Sequence, residues 1–364
     1  MNKSGIKILF KIIAISAVLL ICYKILSDYF RLIDNGRLTE QISELGLPAL
    51  IITIPYFLII LSDTCGWLIS FGKNNRLITL RKLFLIRIAT ETLQTSLPGG
   101  AAYAELVRPL ILKKYYNLRY PESISADLIT KINILVSQMI FLILGLTVFA
   151  IYFSNNAAHA EFLSGKFLYP ASVILICCVL TLVYFIYRKN LLPKLISLPE
   201  KCGYKFLKKI SKPLLGPAAE INKTLSGFSR NNKKNLFLTF VFFFLTWILM
   251  SFESLIILKV MGINASLYQT ILIESMISFV RIVFFFIPGA VGPQDVGIIF
   301  LFNLAGLPDP LLNAFLFVFL KRSKELFWII TGYILLVFLG FAPRKIFSLK
   351  QADLVSDGEG QSPL

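Results

Sequence analysis

The stretches Leu97-Pro98-Gly99-Gly100-Ala101-Ala102-Tyr103-Ala104-Glu105 and Ile287-Pro288-Gly289-Ala290-Val291-Gly292-Pro293-Gln294-Asp295 decide how this chain folds. Each places Pro-Gly after an apolar residue and a carboxylate six residues after the first glycine. An offset of 190 carries Leu97, Pro98, Gly99 and Glu105 onto Ile287, Pro288, Gly289 and Asp295. The same offset carries Lys131 onto Lys321, and a slightly different one pairs Glu91 with Glu274. Both motifs interrupt apolar segments, 83–112 and 267–307, so each reads as two helical arms joined at a Pro-Gly tip.

Around these segments the chain has the composition of a bilayer protein. Of 364 residues, 56% are hydrophobic and 16% charged, and mean hydropathy is +0.75, far above that of a water-soluble domain. Apolar runs that read as candidate spans of a hydrocarbon core of about 30 Å recur at 6–27, 45–71, 127–153, 167–187, 236–261 and 327–341. The fold class expected is an all-α polytopic membrane protein, with about six spanning helices and two re-entrant helical hairpins in an inverted repeat. The lysines before the first run imitate a signal peptide, but no small-x-small site follows, so an uncleaved first helix is expected.

A net charge of +17 would suggest nucleic acid as partner in a soluble protein. Here the basic residues mark cytoplasmic loops, because translocating Lys and Arg is disfavoured and anionic headgroups attract them. Lys3, Lys7 and Lys11, then Lys73 to Arg87, then Lys113, Lys114 and Arg119 all read as cytoplasmic. The loop 188–234, with 12 Lys or Arg against 2 Glu, is the strongest marker and reads as an amphipathic inner-leaflet segment. Arg344, Lys345 and Lys350 put the C-terminus inside as well, so both termini are expected on the cytoplasmic side of the inner membrane. A single transmembrane domain is expected over 1–349, with repeat 1 at about 83–153, repeat 2 at about 267–342 and a disordered polar tail at 350–364.

Arg87 and Lys113 fall on one side, so the segment between them should enter the membrane and return. Arms of about 15 and 12 residues would reach roughly 22 and 18 Å, too short to cross. Non-helical backbone at such a tip is tolerable only inside protein or beside a water-filled cavity. Three spanning helices separate the two hairpins, and an odd number inverts the second, which should enter from outside. Inverted repeats with broken helices meeting near the midplane are typical of secondary transporters. A competing topology lets 267–287 cross fully, but 289–295 lacks the Lys or Arg of a cytoplasmic loop.

On Leu97-Pro98-Gly99-Gly100, Glu105, Leu106, Arg108 and Leu110 to Lys113, with Pro288 to Gly292 and Asp295, the chain resembles the transmembrane region of the lysylphosphatidylglycerol synthase family, over nearly its whole length to about Lys345. The second motif departs from the family's PGG-x-G-x-x-E by carrying Gly289-Ala290 and Asp295, which keeps a turn and an acid. The resemblance implies lipid translocation by the membrane region. In that family lipid aminoacylation belongs to a separate soluble domain, which is not expected here. A lipid transporter or flippase is therefore expected rather than an enzyme, with an anionic phospholipid or a polyprenyl-phosphate-linked amphiphile as its partner.

Charges inside membrane segments are costly and usually functional. Lys131 and Lys321 fall about 15 Å into their helices, near the midplane. With Arg108 and Arg281 they would form a cationic site for a phosphate-bearing headgroup, Arg as a planar fork and Lys as a point charge. The second arms, starting at Ala101 and Ala290, would aim positive helix ends at the same place. A structural reading stands beside this one: each lysine pairs with a neighbouring carboxylate, Glu325 for Lys321, or snorkels.

Glu105, Asp295, Glu91 and Glu274 are candidates for proton coupling, or else hold the arginines and hairpin amides. Pro98, Gly99, Gly100, Pro288 and Gly289 read as tip-forming. His159 is the only histidine and the five cysteines show no ligand spacing, so neither a metal site, a cofactor nor a Ser/His relay is expected. The alternative is an intramembrane enzyme, or an accessory subunit of a lipid-linked glycan transferase, using Glu105 and Asp295 as acids or bases.

Overall fold

The computed structural model describes residues 35–45, 51–97, 100–154, 232–284, 287 and 290–341, plus the isolated positions 20, 23, 24, 27, 31 and 181. All regular structure among the described residues is helical: α1 Asn35–Leu45, α2 Thr53–Ser70, a 3-10 turn Gly72–Leu77, α3 Leu80–Ser96, α4 Gly100–Tyr116, α5 Tyr120–Ser154, α6 Lys233–Val260, α7 Leu267–Val283, α8 Pro293–Leu304 and α9 Pro310–Phe338.

Local chemistry sets these limits. Pro293 and Pro310 stand at the first positions of α8 and α9, where the missing N–H costs nothing. Ser266 caps α7, with the Gln269 side chain accepting the Ser266 N–H at 2.9 Å. Gly262 (φ 74°) ends α6 in a left-handed turn, with Ile263 N–H donating back to Leu258 O at 2.8 Å.

α2, α5 and α6 are long and apolar enough to cross a bilayer. α9 has the length, 29 residues, but carries Lys321, Arg322, Lys324 and Glu325 at mid-helix. The span expected at 327–341 is thus corrected: it is the second half of one helix that starts at Pro310, because those four charges find partners inside the protein. The spans expected at 6–27 and 167–187, and the tip residues Pro98, Gly99, Pro288 and Gly289, lie outside the described residues, as do most of the loop 188–234 and the tail. The second arms start at Gly100 and Pro293, not at Ala101 and Ala290. Each arm of the first hairpin has 17 residues, longer than expected, because helix extends back to Leu80 and forward until Asn117 (φ 51°) stops it.

The helices form two like units, α2 to α5 and α6 to α9. α2 lies along α6, with Ser62 Oγ donating to Phe242 O at 2.8 Å. α5 lies along α7 of the other unit, and reciprocally α9 lies along α3. Both reciprocal crossings are built the same way. A Cβ on Gly145 would clash with the Ser275 side chain, and one on Gly332 would meet Thr92 Cβ at 2.8 Å and Ile88 O at 2.9 Å. Thr92 and Ser275 immediately follow Glu91 and Glu274, so the register pairing the glutamates also pairs the crossings. Lipid tails are as apolar as leucine, so close approach at small residues and polar contacts hold such helices together.

Candidate functional site

The charged side chains pair within each unit, and at Asp63 a bond crosses between them. In the first hairpin, α3 and α4 fold back on one another, and Arg108 Nε donates to Thr90 Oγ1 at 3.1 Å. At Gly100 the chain passes so close to α3 that a Cβ would strike Leu93 O, which is why glycine opens α4. Arg108 is 3% exposed, its guanidinium lies 5.7 Å from the Trp67 ring centroid, and its Nη2 has no hydrogen-bond acceptor. Asp127, one turn before Lys131 on α5, is also buried with Oδ1 unpartnered, in the field of Arg108 and Lys131. Lys131 pairs with Glu105 across α4 and α5, and this pair is open, with side chains 39% and 47% exposed.

Deeper in the same unit, Arg87 donates to Asp63 at 2.6 Å and stands 3.7 Å from Glu91. Thr246 of α6 donates to the other Asp63 oxygen at 3.1 Å. A buried arginine thus fixes α3 to α2, and α2 to the second unit.

The second unit uses its charges differently. Lys321 pairs with Glu274, which also accepts the Ser254 hydroxyl, and both charged side chains are 3% exposed or less. Lys324 pairs with Glu253 in equal seclusion and lies 4.4 Å from the Tyr56 ring centroid. Arg322 donates to Asp295 at 2.6 Å and to Glu325 at 2.7 Å. The five residues Lys321 to Glu325 therefore tie α9 to α6, α7 and α8 at once. Asp295 also accepts the Gly292 N–H at 2.9 Å, where Gly292 (φ 90°) precedes α8, so one carboxylate caps a helix and holds an arginine. Arg281 donates through Nε to Gln294 at 3.0 Å.

Of the four cations read as headgroup ligands, Arg108 and Lys131 come together in the first unit, while Arg281 and Lys321 lie in the second. Lys321 bonds Glu274 on a neighbouring helix rather than Glu325 on its own. Sequence reasoning missed Asp63, Arg87, Glu253 and Lys324. A signal existed: Asp63 and Glu253 are related by the same offset of 190 as the tip motifs. Between α2, α3 and α9, at the junction of the units, a narrow cleft is lined by Tyr56, Glu91, Thr92, Thr95, Glu325 and Trp328, with Ile60, Ile88 and Ile329 behind them.

No curated protein and no solved structure gives a significant match to this sequence. Residues 8–320 match the family described as the lysylphosphatidylglycerol synthase transmembrane region. With apolar spanning helices, paired helical units and a match over most of its length, the chain is a membrane protein of the lysylphosphatidylglycerol synthase transmembrane-region family, which points to lipid metabolism or transport.

Proposed function

We propose that the protein is a lipid translocator, moving an amphiphile with an anionic headgroup between the leaflets of the inner membrane. The two broken helices act as re-entrant hairpins of opposite entry. At 1.5 Å per residue the arms α3, α4 and α7 reach about 25 Å and α8 about 18 Å, short of a 30 Å core. Alternation between two inverted halves around a polar midplane is the general logic of such transporters. The acyl or prenyl tail stays in lipid while the headgroup passes the charged junction.

The observation that carries this reading is the state of the cations in the first unit, Arg108 on α4 and Lys131 on α5. Arg108 has no carboxylate within ion-pair distance among the described residues and an unused Nη2, and Lys131 is held only by the half-exposed Glu105. A phosphate reaching Lys131 gains a charge-assisted bond, and Arg108 behind it supplies a bidentate fork. Exchanging a partly hydrated carboxylate for a phosphate costs little, because exposed ion pairs contribute only about 0 to 1 kcal/mol. The catalytic roles once open to Glu105 and Asp295 are not needed: Glu105 is the displaceable partner and Asp295 the cap of α8.

The test is leaflet exchange of labelled anionic phospholipids and polyprenyl phosphates in proteoliposomes. Native protein is expected to exchange at least one lipid class. Lys131→Ala and Arg108→Ala should slow that exchange, and Glu105→Gln should alter its rate. Equal exchange by all variants would refute the assignment of the site. No exchange of any lipid by folded protein, with a lipid-linked product formed on adding cell extract, would favour the accessory-subunit reading instead.

A further inference from the structure

The two units are related in register, yet they treat the equivalent acids Glu91 and Glu274 differently. Glu274 is sealed by an ammonium from within the chain, Lys321, and by the Ser254 hydroxyl. Its counterpart Glu91 receives no lysine, because Lys131, which stands where Lys321 stands, is turned to Glu105. Glu91 instead faces the cleft between α2, α3 and α9; its Oε2 accepts no hydrogen bond, and the cation nearest it in the chain, Arg87 at 3.7 Å, is bonded to Asp63 at 2.6 Å.

From this broken symmetry we propose that the cleft at Glu91 is a binding site for one small monovalent cation, an alkali ion, occupying the place that the Lys321 ammonium fills in the other unit.

The lining suits such an ion. Glu91 and Glu325 approach from opposite walls, α3 and α9. Thr95 donates its proton to Glu91 O at 3.0 Å and Thr92 donates to Ile88 O at 3.3 Å, leaving hydroxyl lone pairs for a cation. Carboxylate and hydroxyl oxygens are the hard donors that alkali and alkaline-earth ions take. The rings of Tyr56 and Trp328, 5.5 Å apart between centroids, close the cleft wall.

Charge sets the valence. The acids lining the cleft are Glu91 and Glu325; Glu91 shares Arg87 with Asp63, and Glu325 shares Arg322 with Asp295 and lies in the field of Arg281, while Lys321 and Lys324 are neutralised by Glu274 and Glu253. Four carboxylates against three guanidiniums leave one negative charge for a single positive one. The space admits one water-sized body, too little for a headgroup.

As the ion coupled to lipid movement, this site rests on the translocator reading; its binding does not. The test is equilibrium binding of radioactive Na+ to the purified full-length protein, with thermal unfolding in NaCl, KCl, ethanolammonium chloride and choline chloride at equal ionic strength. Saturable binding of one ion per chain is expected, with stabilisation by Na+ or K+ over choline. Glu91→Gln should weaken it about tenfold or more, since ligand charge sets cation affinity. Thr95→Val should weaken it less, and carries the test if Glu91→Gln does not fold. Glu122→Gln, on the Arg119 surface pair, should leave it intact.

Equal effects of all salts, or full binding by Glu91→Gln, would overturn the proposal. So would a response to ethanolammonium alone, which assigns the cleft to an amine headgroup, or to pH alone, which makes Glu91 a proton site. Because binding needs no lipid movement, an absence of lipid exchange beside intact Na+ binding would sink the translocator reading and spare the ion site.

Discussion

Lys131 and Lys321 occupy equivalent positions on α5 and α9, so truncating both measures how differently the two units are wired. The Lys321 side chain is 3% exposed and its partner Glu274 2%, so Lys321→Met strands a carboxylate in a dry interior. Breaking one side of a buried pair in this way costs about 3–5 kcal/mol. The Lys131 and Glu105 side chains are 39% and 47% exposed, so Lys131→Met should cost no more than about 1 kcal/mol. The gap of roughly 3 kcal/mol is over 100-fold in an unfolding equilibrium. For a chain of this size it corresponds to a loss of about 6–20 °C for Lys321→Met against a few degrees for Lys131→Met.

Thermal unfolding in detergent, followed by tryptophan emission, reads both. The double variant Lys321→Met/Glu274→Gln should recover most of the loss, because replacing a buried ion pair by neutral groups of similar size is often near neutral. Equal losses for the two lysines, or a double variant no better than Lys321→Met alone, would refute the account of the second unit as an ionic clamp.

Further outcomes follow from the helix crossings, the cap and the hairpins. Gly332→Ala and Gly145→Ala should each cost about 1–3 kcal/mol through overpacking, whereas Gly297→Ala, whose Cβ would sit an ordinary 3.5 Å from Val280, should stay within about 0.5 kcal/mol; thermal unfolding distinguishes them. Asp295→Asn should destabilise by about 1–3 kcal/mol through the weakened α8 cap and the lost Arg322 pair, and Arg322→Met on top of it should add little, a non-additivity that a double-mutant cycle checks. In a cysteine-free background, cysteines at Arg81 and Asn117 should react with an impermeant maleimide from the cytoplasmic side, and those at Ser266 and Pro308 from the outer side. Labelling of Arg81 and Asn117 from opposite sides would show that the first segment crosses rather than returns.

The arms and their breaks were legible because proline, glycine and apolar runs act locally: Pro-Gly stops a helix whatever surrounds it, and α3, α4, α7 and α8 lie about where those signals put them. The acids and lysines at the repeat register were legible for the same reason. Partner choice was not. Glu325 sits one turn from Lys321 and satisfies every local criterion for a pair, yet it takes Arg322, while Lys321 reaches Glu274, 47 residues away, because α9 lies along the hairpins. Asp63 went unread because it is the only charge in its helix, and a lone charge in an apolar helix names no partner; Arg87 was read as a cytoplasmic-side marker, whereas it is buried in α3 and paired with Asp63. The cleft at Glu91 was illegible because it arises from three helices meeting, not from any one stretch.

The repeat relation itself supplies the strongest argument about mechanism. Two copies of one motif that stayed chemically identical would bind and release alike on both sides, and neither would hold the other in place. Here the copies share a backbone plan, reciprocal crossings at Gly145 and Gly332, and the acids Glu91 and Glu274, but they differ at the residues after the shared lysine. In α9 those residues are Arg322-Ser323-Lys324-Glu325, which tie it to α8 and α6; in α5 they are Ile132-Asn133-Ile134-Leu135, which fix none by charge. Freed from that network, Lys131 has an exposed carboxylate as its ion-pair partner and Arg108 a threonine hydroxyl as its hydrogen-bond partner. In the proposed translocator the second unit is therefore the frame and the first unit the part that exchanges partners, so substitutions at Lys131 should change transport before stability, and those at Lys321 stability before transport.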